Sequence, residues 1–279
     1  RKESSAASDV YKRQRLHNAL KIEKAADLLA SYRQSLTPIK SLPAELRPTS
    51  ELEGYLLQEQ VNRLLSIPLG ARVGYKIGCT TPVMQRFLGI PSPCAGEIFS
   101  RTALKNSGRV PRDGFIKIGI ECEIVVSIAE TISPHDFSKK QFSPSDVIDS
   151  LMVGMEIVDD RYDRYQTLGI PTLIADNFFD CGCVLGDPVS RWHDIDLKSL
   201  LGTTSVNGVV VGSGRGSLIM KSPLNALQWF IQSMMKRGAV INQGEFVMLG
   251  SVVETKWLEA GDVAEVEIES LGSVSLRVE

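Results

Sequence analysis

The chain has 279 residues, 43% of them hydrophobic and 23% charged, with a formal net charge of −2. That balance describes a globular protein with a sizeable core. It gives no basic footprint for nucleic acid, no polybasic membrane patch and no apolar run near the ~18 residues of a membrane span.

Residues 1–14, "RKESSAASDVYKRQ", are polar and have no apolar period, no h-region and no cleavage site of a signal peptide. They resemble the translated remnant of a cloning adapter and are set apart as a non-native or disordered leader. Residues 15–70 read as a helical N-terminal segment. Leu16, Leu20, Ile22, Ala26 and Leu29 recur at helical spacing, and three prolines interrupt at 38, 43 and 48. Thr49 or Ser50 then caps a second helix that runs to about Leu65.

From residue 71 to 279 the texture is short β-branched runs broken by Gly and Pro. Strands are predicted at 72–77, 116–128, 151–158, 182–186, 205–211, 246–249, 263–269 and 273–278. One late helix starts at Ser222-Pro223, carries Leu224, Leu227, Phe230, Ile231 and Met234 on one side, and ends at Gly238. So few helices between strands exclude a repeating βα array. The fold class is α+β, a mixed and mostly antiparallel β-domain behind a helical segment.

Within "FIKIGIECEIVVSI" the apolar residues Ile116, Ile118, Ile120, Cys122, Ile124 and Val126 alternate. Glu121 and Glu123 therefore share the other face, with Cβ atoms about 7 Å apart. Two readings compete: solvated carboxylates on an exposed face, or ligands of a cation. "EVEIE" sets Glu265, Glu267 and Glu269 on one face as well, so spacing alone does not choose between the ladders. Glu156 sits inside the apolar run "LMVGMEIV", where an unpaired carboxylate costs several kcal/mol and requires a partner or a metal. Arg161 or Arg164 is one candidate partner; a hard divalent cation shared with Glu121 and Glu123 is the other.

Lys76, flanked by Gly74 and Gly78, reads either as an exposed strand lysine or as a group beside a ligand. "VVVGSGRGS" fails the dinucleotide pattern, because the third glycine would fall on Ser217, and reads as a glycine-rich turn or substrate loop. The histidines, His17, His135 and His193, lie in a helix and two polar loops. Cys94 in "PSPCAGEIF" is the one thiol nucleophile candidate, without an evident activating partner. None of the five cysteines forms a C-x-x-C pair, which predicts free thiols and a cytoplasmic protein.

Seven blocks together resemble the fumarylacetoacetate hydrolase superfamily, in the branch of the 2-keto-4-pentenoate hydratases and 4-oxalocrotonate decarboxylases. They are "GYKIGCTTPVMQRFLGI", "ECEIVV", "GMEIVDDRY", "IADNFFDCGCVLG", "GSGRGSLIMKSPLNALQWF", "FVMLGS" and "AGDVAEVEIESLGSVSLRV", in the family's order across residues 15–279. The resemblance implies a β-roll of the fumarylacetoacetate-hydrolase C-terminal type. It further implies Mg²⁺ or Mn²⁺ held by Glu121, Glu123 and Glu156, a catalytic Lys76 and Asp176, and substrate contacts from Asn177 and Ser251. Cys94 in "SPCAG" stands where hydratases of this branch carry an aspartate associated with proton transfer.

The implied reaction begins with a small 2-oxo acid chelating the cation, which acts as a Lewis acid and stabilises an enolate or dienolate. A hydratase would then add water to a 2-hydroxy-2,4-dienoate, giving a 4-hydroxy-2-oxo acid. Decarboxylation of a 4-oxalocrotonate, or cleavage of an acylpyruvate, is the alternative on the same scaffold. A non-catalytic subunit is a further one. The resemblance also implies a homo-oligomer, with association to a related decarboxylase or hydratase as a possible partner.

Overall fold

This computed structural model describes the backbone of residues 2–138 and 143–279, with side chains described from residue 18 onward except at 87. The side chain of His17 and those of the leader stretch lie outside the described residues.

In chain order the elements begin with helices α1 (Lys2–Gln34) and α2 (Glu51–Leu69) and strand β1 (Arg72–Gly78). Helix α3 (Pro82–Leu88) precedes β2 (Cys94–Phe99), β3 (Ala103–Lys105), β4 (Ser107–Val110) and β5 (Ile118–Ile128). Helix α4 (Pro134–Phe137), β6 (Ile148–Asp159), α5 (Ile170–Ala175) and β7 (Asp180–Leu185) follow. The chain closes with β8 (Leu201–Val206), β9 (Val209–Arg215), α6 (Pro223–Lys236), β10 (Phe246–Trp257), β11 (Val263–Ile268) and β12 (Gly272–Val278).

Seven strands form one sheet in the order β2-β1-β10-β5-β6-β7-β3, and five form a second in the order β4-β12-β11-β8-β9. Among the strands of the described residues, only the pairs β1·β10, β3·β7 and β4·β12 are parallel, so the mixed and mostly antiparallel expectation stands. The alternation read from sequence explains the packing. Ile118, Ile120, Cys122, Ile124 and Val126 of β5 join Leu151, Val153, Met155 and Ile157 of β6 in one core. Val266 and Ile268 of β11 and Leu276 and Val278 of β12 enter the same core from the second sheet.

The other face of β5 is not solvated. Val125, Met152, Phe246 and Met248 bury its middle, so both faces of this sheet are covered. A separate apolar cluster joins α1, α2 and α5 through Ala26, Leu29, Leu57, Val61, Leu65, Leu173 and Ile174, and it extends to Cys79, Cys94 and Phe178. Helix α2 starts as its sequence predicts: the Ser50 hydroxyl accepts from Glu53 N at 3.2 Å, and Glu53 accepts from Thr49 N at 2.8 Å. Helix α6 buries the predicted Leu227, Phe230, Ile231 and Met234, although Ser222 caps it by position without a side-chain hydrogen bond.

Three differences have physical causes. The single strand expected at 205–211 is a hairpin, because Asn207 and Gly208 take positive φ values of 53° and 77° and turn the chain between β8 and β9. Strands β2, β3 and β4 were not foreseen; they are short, and glycine, proline and charged residues hide their period. The glycines of "GSGRG" are neither a turn nor a loop but mostly strand β9 crossing the backbone of β10. A Cβ on Gly214 would lie 1.9 Å from the Val252 carbonyl oxygen. Gly214→Ala is expected to destabilise the fold by about 3 kcal/mol through overpacking, read as a lower urea midpoint.

Candidate metal centre

Strand pairing brings the glutamates together. In the β5·β6 register Glu121 stands directly opposite Glu156, and Glu123 faces Gly154, so all three carboxylates project from one face. One oxygen from each lies within 4.8 Å of the others. Glu123 and Glu156 are buried, and Glu121 lies at a half-buried rim. Gly154, opposite Glu123, has no room for a side chain, since a Cβ there would meet Val125 at 2.4 Å.

Each acid is oriented separately. Thr255 donates its hydroxyl to Glu121 Oε1, and Gly250 N donates to Glu123 Oε2 at 2.9 Å. Glu156 Oε1 lies 3.0 Å from Lys76 Nζ. The lysine charge therefore answers Glu156 Oε1, whereas Glu123 Oε1 is buried with no hydrogen-bond partner. The ammonium of Lys76 also donates to the Phe178 carbonyl at 2.5 Å and lies 5.4 Å from the Phe178 ring.

Burial and the neighbouring carboxylates act in the same sense on the acids and in opposite senses on the lysine. Burial, with Glu156 opposite, raises Glu121 to about 7, although Thr255 and Lys76 pull it back. Burial and the two neighbouring carboxylates push Glu123 well above the usual range. Burial also raises Glu156, with Lys76 opposing. For Lys76, burial disfavours the charge, but Glu156, Glu121 and Asp180 outweigh it and hold the ammonium protonated.

Such a site fits a hard divalent cation on two grounds: its donors are all carboxylate oxygens, and Glu123 Oε1 is buried with no hydrogen donor. Because a cation must displace protons from these acids, affinity for Mn²⁺ is expected to weaken as pH falls through about 7. Calorimetric titration at pH 6, 7 and 8 reads this, and an unchanged affinity across that range would contradict the arrangement.

The arginine alternative for Glu156 is not what the chain adopts. Arg161 donates to Asp176 Oδ2 at 3.0 Å and to its backbone oxygen at 3.0 Å, and Tyr162 donates to the same carboxylate at 2.8 Å. Asp176 is therefore the centre of a buried ion-pair knot, with Arg33 at 4.0 Å. Asn177 has its amide oxygen and nitrogen engaged by Asn62. The Ser251 hydroxyl, opposite Glu123 in register, donates to the carbonyls of Val253 at 2.5 Å and Cys122 at 3.3 Å. Cys94 opens β2 beside Gly78, and burial pushes its thiol well above the ordinary value, which disfavours a thiolate nucleophile. The competing ladder Glu265, Glu267 and Glu269 is exposed, opposite Ser273 and Ser275.

Asp180 was missed. It is buried, raised by burial to about 6, and acts on both Lys76 and Glu156. The signal was available: an acid following Phe178-Phe179 faces the same burial penalty that singled out Glu156. A cavity of about 640 Å³ between α1 and α2, lined by Asp27, Ser31, Leu64 and Ile67, involves none of the site residues.

The chain is thus a β-roll under a helical layer, with three carboxylates and a buried lysine on one sheet face. Residues 98–279 match the family described as fumarylacetoacetate (FAA) hydrolase C-terminal, and the chain belongs to that family. It is 29% identical over 261 residues to the TodF product hydratase of Pseudomonas putida, covering 91% of this chain and 94% of that one. It is also 29% identical over 248 residues to the 2-keto-4-pentenoate hydratase of Paraburkholderia phymatum, covering 88% and 91% respectively. Among solved structures, 4-oxalocrotonate decarboxylase from Pseudomonas putida G7, complexed with magnesium and adipate, superposes with a TM-score of 0.85. That pair shares 23% identity, covering 94% of this chain and 98% of the other, and shows the common fold.

Proposed function

We propose that this protein is a divalent-cation-dependent hydratase that adds water to a 2-hydroxy-2,4-dienoate and forms a 4-hydroxy-2-oxo acid. The observation that carries this reading is the group of three converging glutamates, one with an unpartnered buried oxygen and one paired with a buried lysine. The similarity to 2-keto-4-pentenoate hydratase over most of both chains supports it.

A bound Mg²⁺ or Mn²⁺ supplies a Lewis acid for the carboxylate and adjacent oxygen of the substrate. Glu121, Glu123 and Glu156 would hold it, with Thr255 and Gly250 N fixing two of the three carboxylates. In the reaction the enol proton leaves oxygen and C5 gains one, giving an unsaturated 2-oxo acid. Water then adds at C4, and C3 takes a proton. The ammonium of Lys76, held by Phe178 O beside Glu156, would stabilise negative charge developing on the C2 oxygen. Asp176 and Asn177, already engaged by protein groups, act by holding the turn that carries Phe178 rather than by touching substrate. Cys94 contributes a neutral thiol at the aspartate's position, and Ser251 remains a substrate-side candidate beside Glu123.

The superposition on a decarboxylase shows that this fold also hosts decarboxylation, so turnover separates the readings. With Mg²⁺ or Mn²⁺, the purified chain is expected to hydrate 2-hydroxypenta-2,4-dienoate faster than it releases CO₂ from 4-oxalocrotonate or cleaves an acylpyruvate. Faster CO₂ release would make it a decarboxylase. No turnover of any of the three would leave a partner subunit. Assembly into homo-oligomers, or with a related decarboxylase, belongs to the same proposal. So does a cytoplasmic setting, which suits five free thiols. None of the described helices is long and apolar enough to cross a membrane.

A further inference from the structure

We propose that Asn62 of helix α2 is a positioning residue for Lys76: its amide pair with Asn177 holds the turn whose Phe178 carbonyl receives the lysine ammonium. This rests on the reading that Lys76 takes part in the reaction.

Three consecutive residues, Asn177, Phe178 and Phe179, have φ values of 57°, 50° and 69°. Asparagine tolerates that region, but two successive phenylalanines do so only where the surroundings impose it. Here the carbonyl between them does a specific task, accepting from Lys76 Nζ at 2.5 Å. The turn also lies tight against the sheet. A Cβ on Gly96 would come within 2.9 Å of Asn177 O, and one on Gly78 within 2.8 Å of the Phe178 ring.

Phe178 packs in the apolar cluster with the helices and Asp159 N donates to Phe179 O at 3.0 Å, but the Asn177 end of the turn is tied to the helical layer by polar groups. Asn62 Nδ2 donates to Asn177 Oδ1 at 3.1 Å, and Asn177 Nδ2 returns a bond to Asn62 Oδ1 at 2.7 Å. The backbone N–H of Glu97 adds a third bond to Asn177 Oδ1 at 3.3 Å. One turn earlier on the helix, Gln58 donates to Ala95 O at 2.9 Å and Ile174 O at 2.7 Å. Asn62 and Asn177 are both buried, and Asn62 interrupts an apolar seam of Leu57, Val61 and Leu65. An aliphatic residue would fill such a seam at no desolvation cost. A fully paired amide fixes one register of helix against turn, which aliphatic contacts do not do. The backbone bonds Asn177 N to Ile174 O and Phe178 N to Leu173 O close the turn on itself, but they do not set its place relative to Lys76.

The test is a double-mutant cycle in the full chain, assayed for hydration of 2-hydroxypenta-2,4-dienoate with Mn²⁺. Asn62→Ala is expected to lower kcat by about 10- to 100-fold with KM and Mn²⁺ affinity changed by less than about two-fold. Mn²⁺ binding is read by loss of the free-ion electron paramagnetic resonance signal, which also reports a folded centre. Asn62→Ser, which keeps a small polar group, gives a smaller loss and serves if the alanine variant does not fold. In the Lys76→Ala background, Asn62→Ala is expected to change the residual kcat by less than about two-fold, because its effect passes through the lysine. Losses that multiply in the double variant would overturn the inference, as would a fall in Mn²⁺ affinity matching the fall in kcat. A wild-type rate for both Asn62 variants alongside an impaired Lys76→Ala overturns the clamp alone. A wild-type rate for Lys76→Ala overturns the role of the lysine, and the clamp with it.

Discussion

Glu156→Gln is expected to weaken Mn²⁺ binding by more than about 100-fold and to lower kcat by about 1,000-fold or more at saturating substrate. The substitution keeps the size of the side chain and removes one of three anionic oxygens within 4.8 Å of one another. It also deprives Lys76 of its nearest carboxylate, at 3.0 Å, so the ammonium is no longer held over the site by charge. Both losses act on the same atoms, which is why the effect exceeds that of removing an orienting group. Stability without metal moves little, because relief of repulsion toward Glu121 and Glu123 offsets the lost attraction to Lys76. The matched control is Glu267→Gln on the exposed ladder, which leaves affinity and rate unchanged. Equal Mn²⁺ affinity in wild type and Glu156→Gln, by calorimetry, would remove Glu156 from the centre.

The difference between those two ladders shows what the sequence could and could not reveal. Period two put Glu121 and Glu123 on one face and Glu265, Glu267 and Glu269 on another with equal force. Burial separates them: the first pair sits on a sheet covered on both sides, the second on a face open to water. The apolar run around Glu156 announced that burial, because a carboxylate among Met155, Ile157 and Val158 has to be answered. Its partner was not announced. Lys76 lies eighty residues earlier, and the pairing depends on β1 and β10 running parallel between distant segments. Backbone groups were invisible for a stronger reason. The Phe178 carbonyl and the Gly250 N–H act through their φ values and position, which no residue type encodes by itself. Asn62 was passed over because one polar residue on an amphipathic helix looks like part of its solvated side.

Lys76→Met tests the balance of charge at the proposed metal centre. Without its ammonium, Glu121, Glu123, Glu156 and Asp180 share a buried region with no cation at the position Lys76 held. Breaking a buried pair in this way costs about 3–5 kcal/mol in the metal-free protein, read as a fall in the urea midpoint. The loss depends on pH with a definite sign. Carboxylates whose folded pKa lies above the unfolded value bind protons more readily when folded, so stability falls as pH rises from the unfolded range through the folded values. With Glu121 already raised to about 7 and pushed further by loss of the lysine, the variant is weakest at pH 8 and recovers toward pH 6. Added Mg²⁺ supplies the missing positive charge and restores most of the midpoint at pH 8. Activity does not return with it: in the proposed reaction kcat stays about 100- to 10,000-fold below wild type, since the metal does not replace the lysine charge that the reading assigns to the C2 oxygen. A variant as stable as wild type at pH 8 without metal would mean that the lysine does not offset these acids. Full activity with Mg²⁺ would confine it to a structural role.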